Sequence, residues 1–387
     1  MLTILNVLGA LMWISFSCII SFYALYFLIL NHYIKKKEDT DPSDSFRPHV
    51  SMIVPIHNEE GVILKKIQNL VESNYPKNRL EVIFIDGCST DNTARIISNY
   101  AKNHSFIRLI QQDGREGYNA AVFEGFSRST GDIIAITQAD ALYEPNALEL
   151  LVRHFADPKV GAVTGKQIIS NRGEGVAPGL TGVYRDFYDF VRMAETRMDS
   201  PFDIKGEICA VRREICEHLL MKSALLARGC VDCCLSSQAR LEGYKTLFEP
   251  SAKYHEYVPQ SVRERMQAQV RRGTVLIESL LLFKNMLFNK KYGLFGLIIL
   301  PAHLVMLTAL PWMFLLGALC IPAAIISNPI ITSLLLAVLL TGLAVNSKFR
   351  MLLLSFVQSQ VALVIATLRV ATHRESQMIP KISSTRR

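Results

Sequence analysis

The chain has 387 residues, half of them hydrophobic, with 42 Lys and Arg against 34 Asp and Glu, a formal net charge of +8. That is more apolar than a soluble domain of this length needs, so membrane segments are expected. The basic excess fits a membrane surface and phosphate groups; without interleaved aromatics it argues against a nucleic-acid partner.

Met1 to Ile34 contains no Asp, Glu, Lys or Arg. It is long enough to span a bilayer and lacks the basic start of a cleaved leader, so residues 1–34 read as an uncleaved anchor. The flank "HYIKKK" belongs on the cytoplasmic side, which places the following domain in the cytosol and makes the chain an integral membrane protein. Residues 35–48 form a polar linker, and residues 49–273 have the composition of one globular domain.

Within that domain Ser51 to Val54 is a short apolar strand ended by Pro55. Ile63, Ile67, Leu70 and Val71 then recur at helical spacing. Val82 to Ile85 is a second strand with an acidic tip, Asp86, and a capped helix follows. Ile107 to Gln112 is a third strand and Asn119 to Thr130 a third helix. Ile133 to Ile136 is a fourth strand, ending in the polar tip Thr137-Gln138-Ala139-Asp140. This alternation predicts an α/β fold, a mostly parallel sheet with helices on both faces. Beyond Asp157-Pro158 the pattern loosens, with a helix expected from about Asp232 to Glu242.

A long helix follows, basic and then apolar, and residues 274–291 read as its interfacial amphipathic part. Residues 292–369 hold about three transmembrane or re-entrant helices, and residues 370–387 form a basic tail. Three crossings would carry that tail outside, against its charge. One apolar piece is therefore expected to be re-entrant or interfacial. Pro301, Pro311 and Pro322 single out the first.

The eight cysteines show no framework spacing and are expected as thiols in a reducing compartment. Cys230-x-x-Cys233 lacks the second pair of a structural zinc site. No Walker-type or dinucleotide glycine fingerprint occurs, which excludes a P-loop NTPase and a dinucleotide oxidoreductase.

Acidic residues at the carboxyl ends of parallel strands sit where open α/β sheets bind ligands. Asp86 and Asp140 hold such positions, and Asp232 begins a helix downstream. For each, the alternative role is helix capping. Together they offer one carboxylate for a nucleoside, one for Mg²⁺ or Mn²⁺ on a diphosphate, and one to take a proton from an attacking hydroxyl. Gln267 to Arg272 offers positive charge to the phosphates.

These residues resemble the membrane-bound family 2 glycosyltransferases. "SMIVPIHNEE" is similar to that family's opening strand, and "IDGCSTDNT" to its "DDGSTDGT" motif. "AITQADALYEP" is similar to the strand carrying Asp-x-Asp. "CVDCCLSSQARLEGYKTLFEP" resembles the segment with the catalytic Asp, and "QAQVRRG" falls where Gln-x-x-Arg-Trp is found. The resemblance implies a glycosyltransferase A fold with transmembrane helices at both ends and a single in-line displacement that inverts the anomeric carbon. It implies that Pro55, Glu59 and Asp86 line the pocket of a UDP- or GDP-sugar, with Gln138 beside the donor. It further implies that Asp140 binds the metal, that Asp232 is the general base, and that Gln269 and Arg272 reach the diphosphate and acceptor channel. The expected acceptor is a polysaccharide or polyprenyl-linked glycan at the plasma membrane, among membrane lipids. A polyprenyl-phosphate sugar synthase and a catalytically silent scaffold of an envelope-glycan complex are the alternatives. Five positions depart from the pattern. Gln138 replaces the first Asp of Asp-x-Asp, and Gly87 follows Asp86 where a second Asp is expected. Tyr118 replaces a Lys, Val231 a Glu and Gly273 the Trp.

Overall fold

The computed structural model describes residues 2–36, 40–221, 231–372 and 383–386. The N-terminal helix α1 (Leu2–Tyr33) leads through the linker to β1 (Val50–Ile56), α2 (Glu60–Val71), β2 (Leu80–Asp86) and α3 (Thr93–Ala101). Next come β3 (Ile107–Gln111), α4 (Tyr118–Arg128) and β4 (Ile133–Thr137). Every residue of β2 and β4 is buried, as for strands covered on both faces.

After the tip of β4 the chain adds β5 (Leu142–Tyr143), α5 (Ala147–Val152), β6 (Val160–Ile169), α6 (Val176–Met198) and β7 (Ile208–Arg212). Then follow α7 (Arg213–Leu220), α8 (Val231–Leu241), β8 (Lys245–Glu256) and α9 (Val262–Leu282). The strands form one sheet in the order β3-β2-β1-β4-β7-β6-β8-β5. Four of the seven pairings are parallel, and β7 runs antiparallel to both β4 and β6. One face packs Ile63, Ile67, Ile97 and Leu151 from α2, α3 and α5. The other packs Val122, Phe126, Ile215 and Leu235 from α4, α7 and α8, together with Ile299 and Leu300 from the C-terminal helices.

The reversal at β7 matters for the site. Ile208 pairs with Thr137, so β7 starts where β4 ends. Residues just before β7 thus lie on the same edge of the sheet as the tips of β1, β2 and β4. The two-residue β5 had no sequence signal, being too short for alternation to register.

The C-terminal part comprises α10 (Leu300–Leu304), α11 (Leu310–Leu319), α12 (Ile321–Ser327), α13 (Pro329–Val345) and α14 (Ser347–Ala371). Three helical stretches, Thr3–Tyr33, Phe295–Leu319 and Ser347–Ala371, are long and apolar enough to cross a membrane; α13 is apolar but shorter. Pro301 and Pro311 do not interrupt the helical path of the first C-terminal stretch. Wide π-type turns at Phe295–Ile299 and Val305–Ala309 precede Pro301 and Pro311. They make room for a residue that has no N–H and clashes with the preceding turn.

That stretch runs antiparallel to α1, with Phe16 edge-on to Phe314 at 5.9 Å. Glu195 of α6 joins both to the domain. Its Oε1 accepts from Tyr26 Oη at 2.6 Å and lies 2.7 Å from His303 Nε2. Its Oε2 accepts from the Phe202 backbone N–H. A wholly buried carboxylate this well supplied with partners anchors the helices in one arrangement.

Candidate active site

A cavity of about 1670 Å³ opens at the carboxyl edge of the sheet and continues between the apolar helices. Pro55, Glu59, Gln138, Asp140 and Asp232 line one end; Trp13, Phe16, Met306 and Leu339 line the other. Gln269 and Arg272 lie on its wall as well. Of the eight residues singled out by sequence, only Asp86 does not line it; the neighbouring Gly87 does.

Asp86 is fully buried at the end of β2. Its Oδ1 accepts from the Ser89 backbone N–H at 3.1 Å and from the Ser89 hydroxyl at 2.5 Å. It therefore shapes the turn after β2 and does not cap α3, whose N-cap is Asn92.

The Asp140 side chain is 5% exposed, and its Oδ1 is buried without a hydrogen-bond partner. Arg386 reaches back to it. The guanidinium pairs with Asp140 Oδ2, and its Nε lies 2.9 Å from Glu59 Oε2. Ser384, two residues earlier, donates to Glu264 Oε2 at 2.9 Å. A cation already stands between the two carboxylates, and one carboxylate oxygen is still unsatisfied. That donor set suits a hard divalent ion bound by one or two carboxylates and completed by phosphate and water. No cluster of three or more His, Cys, Asp or Glu among the described residues forms a self-contained metal cage. Cys230, half of the Cys-x-x-Cys pair, lies outside the described residues.

Asp232 is the second residue of α8, inside the helix and not its cap. The helix N-terminus favours its negative charge. Its Oδ2 accepts from the Gly206 backbone N–H at 3.0 Å. A Cβ on Gly206 would lie 2.7 Å from that same oxygen and 3.0 Å from Tyr118 Oη, so glycine is required for the approach.

On α9, Arg272 donates to Asp203 Oδ2 at 2.5 Å, and Arg192 shares that oxygen at 2.7 Å. The two guanidiniums hold the Asp203 carboxyl well below the usual carboxylate range, against the opposing effect of burial. Gln269 donates to Ser359 at 2.9 Å and accepts from Arg265 at 3.3 Å.

Lys66 of α2 had been hidden among the polar positions of an amphipathic helix. It is fully buried, donates to Thr137 Oγ1 at 2.8 Å and to the Ala141 carbonyl, and sits 4.5 Å from the Tyr143 ring centroid. Burial pushes its ammonium well below the usual lysine range. Both ends of the Gln138–Asp140 turn hang on this one side chain. Lys66→Ala is expected to cost about 2–4 kcal/mol by leaving a cavity and two stranded acceptors. A lowered unfolding midpoint in detergent checks it.

Residues 51–220 match the family model described as glycosyl transferase family 2. In that region the chain is similar to the family 2 glycosyltransferases. It is 30% identical over 177 residues to the probable glycosyltransferase YdaM of Bacillus subtilis, covering 44% of this chain and 42% of that protein. It is 25% identical over 259 residues to a poly-beta-1,6-N-acetyl-D-glucosamine synthase of Staphylococcus aureus, covering 65% of this chain and 60% of the synthase. The chain thus spans between two fifths and three fifths of these curated relatives. Among solved structures, the mannosyltransferase PcManGT of Pyrobaculum calidifontis, in complex with GDP-Man and Mn²⁺, superposes with a TM-score of 0.80. That match has 27% identity and covers 95% of this chain and all of the other. The glycosyltransferase A fold expected from the sequence is the fold observed.

One departure from the family pattern now has a physical reason. A Cβ on Gly273 would lie 3.0 Å from Leu363 Cδ2 and 3.1 Å from Ala366 Cβ, so α14 packs directly on α9 at this residue. The Trp of Gln-x-x-Arg-Trp has no room at this position. Gly273→Trp is expected to destabilise by about 3 kcal/mol by overpacking that contact. Loss of a cooperative unfolding transition in detergent checks it.

Proposed function

We propose that the protein is an inverting, metal-dependent glycosyltransferase that moves a sugar from a nucleotide sugar to an acceptor held at the membrane. One observation carries this reading: Asp140 and Asp232 share one end of a cavity whose other end lies between apolar helices. The mannosyltransferase solved with GDP-Man and Mn²⁺ supports a nucleoside-diphosphate donor and a divalent ion. The poly-N-acetylglucosamine synthase relative supports a glycan acceptor. The basic flank of α1 supports a cytosolic catalytic domain, with the plasma membrane as the proposed location.

In this reading Asp140, with Glu59 nearby, would hold Mn²⁺ or Mg²⁺, which would supply positive charge for a leaving diphosphate. Pro55 and Glu59 border the donor, and Asp86 supports that pocket from beneath Gly87. Gln138 brings an amide to the donor where the family has a carboxylate. The Asp232 carboxylate, held by the Gly206 N–H, accepts the proton of the acceptor hydroxyl. The hydroxyl oxygen bonds to the anomeric carbon from the side opposite the diphosphate. The carbon–oxygen bond to the diphosphate breaks, and the nucleoside diphosphate leaves with the electron pair. Gln269 and Arg272 stand on the wall between donor and acceptor ends.

A polyprenyl phosphate is the second acceptor class, favoured by the apolar end of the cavity. A nucleotide-sugar panel on purified protein in detergent with Mn²⁺, products read by mass, tests the function. At least one donor should be consumed with release of its nucleoside diphosphate. Binding of a donor with neither transfer nor hydrolysis would overturn the reading in favour of a silent scaffold.

A further inference from the structure

Beside the proposed base the cavity wall carries a second polar group of residues that the reaction above leaves unused. Glu207 directly follows Gly206, the residue that holds Asp232. Its carbonyl is fixed by the Tyr143 hydroxyl at 3.1 Å. Extending the Thr137–Ile208 pairing by one residue places Glu207 next to Gln138. Glu256 ends β8, and Gln167 of β6 donates to its Oε2 at 2.7 Å. Glu207, Glu256, Gln167 and Arg185 all line the cavity.

Several of these groups lack partners. Gln167 is 4% exposed, yet its Oε1 is buried with no hydrogen-bond partner. Nε and Nη1 of Arg185 are buried and unpartnered as well. A buried polar atom left so costs about 1–3 kcal/mol, and these face one space. Burial and the neighbouring Glu207 push the Glu256 carboxyl up to about 8, against Arg185 and Lys205, which pull it down.

We propose that Glu207, Glu256, Gln167 and Arg185 form a subsite for the hydroxyl groups of an acceptor sugar. The acceptor is therefore presented by a carbohydrate end and not by a bare lipid phosphate. The inference rests on the glycosyltransferase reading and names the acceptor class within it. A sugar ring offers hydroxyls that both donate and accept, which matches alternating carboxyl, amide and guanidinium groups. A phosphate wants donors only, and the acceptor oxygens of Glu207 and Gln167 beside it oppose binding. Three further cavity arginines are committed elsewhere: Arg272 to Asp203, Arg265 to Ser355 and Gln358, and Arg386 to Asp140 and Glu59. Tyr184 and Tyr188, rings 4.5 Å apart on α6, line the same cavity and offer an apolar platform for a ring face.

The test uses the full chain in detergent. The probes are cellobiose, mannobiose, diacetylchitobiose and a short-chain polyprenyl phosphate, with binding read by saturation-transfer NMR and transfer by mass. At least one disaccharide is expected to bind. Glu207→Gln, Glu256→Gln and the milder Gln167→Leu should each weaken that binding about tenfold, roughly one lost hydrogen bond. Affinity for Mn²⁺ with a nucleoside diphosphate, measured on the same samples, should stay within about twofold and reports that each variant is folded. Unchanged disaccharide affinity in variants that still bind nucleotide overturns the subsite alone. So does transfer to polyprenyl phosphate with no disaccharide bound. Absence of nucleotide binding in the unmodified protein overturns the glycosyltransferase reading with it.

Discussion

Asp232→Asn is expected to cut sugar transfer roughly 10³-fold while nucleotide and Mn²⁺ binding persist, the size of effect for loss of a general base. The substitution keeps shape and size, and its amide oxygen can still accept from the Gly206 N–H. What disappears is the second oxygen's ability to take a proton. Position in the first turn of α8 favours negative charge on this carboxyl. A lower kcat with an unchanged donor affinity is the expected split. Transfer at near wild-type rate would show that another group removes the proton.

The second large effect is expected at Asp140. Asp140→Asn should weaken Mn²⁺ binding and lower kcat/KM by about 100-fold or more, since electrostatic stabilisation of the departing charge is lost. EDTA should stop the unmodified enzyme, and added Mn²⁺ should restore it. Arg386 sharpens the measurement. Its guanidinium pairs with Asp140 and Glu59, so a divalent ion held by these carboxylates has to displace it. Arg386→Ala is therefore expected to tighten Mn²⁺ binding several-fold, by titration calorimetry, whereas Asp140→Asn loosens it. Turnover unaffected by chelator would remove the metal from Asp140.

The strand tips were legible because buried parallel strands appear as apolar runs that stop abruptly in polar residues. Asp140 and Asp232 could be placed near chemistry on that ground and by family resemblance. Asp86 was harder. The same signal marks a residue on the cavity wall and one wholly buried behind it, and only the fold separates them. Glu207 and Glu256 had no signal, since each looks like an ordinary charged residue at a strand end. The antiparallel arrival of β7 brings Glu207 to the site, and a strand's direction is not written in its composition. Lys66 was invisible for a related reason: its neighbour Lys65 is exposed, and a single residue step around the helix separates a solvent lysine from a buried brace. Gly273, an apparent defect in a motif, became intelligible only when α14 was found lying against it.

The reach of Arg386 into the catalytic cleft bears on how the chain is threaded. A segment that touches Asp140 ends on the same side of a bilayer as the domain that bears Asp140, so the passages between α9 and Arg386 must be even in number. Two of the stretches long and apolar enough to cross, Phe295–Leu319 and Ser347–Ala371, lie in that interval. They are tied to each other, Trp312 with Thr367, and α14 is also tied to α9, Gln358 with Arg265 and Ser359 with Gln269. An even count of that kind would give the basic tail the sidedness its charge favours.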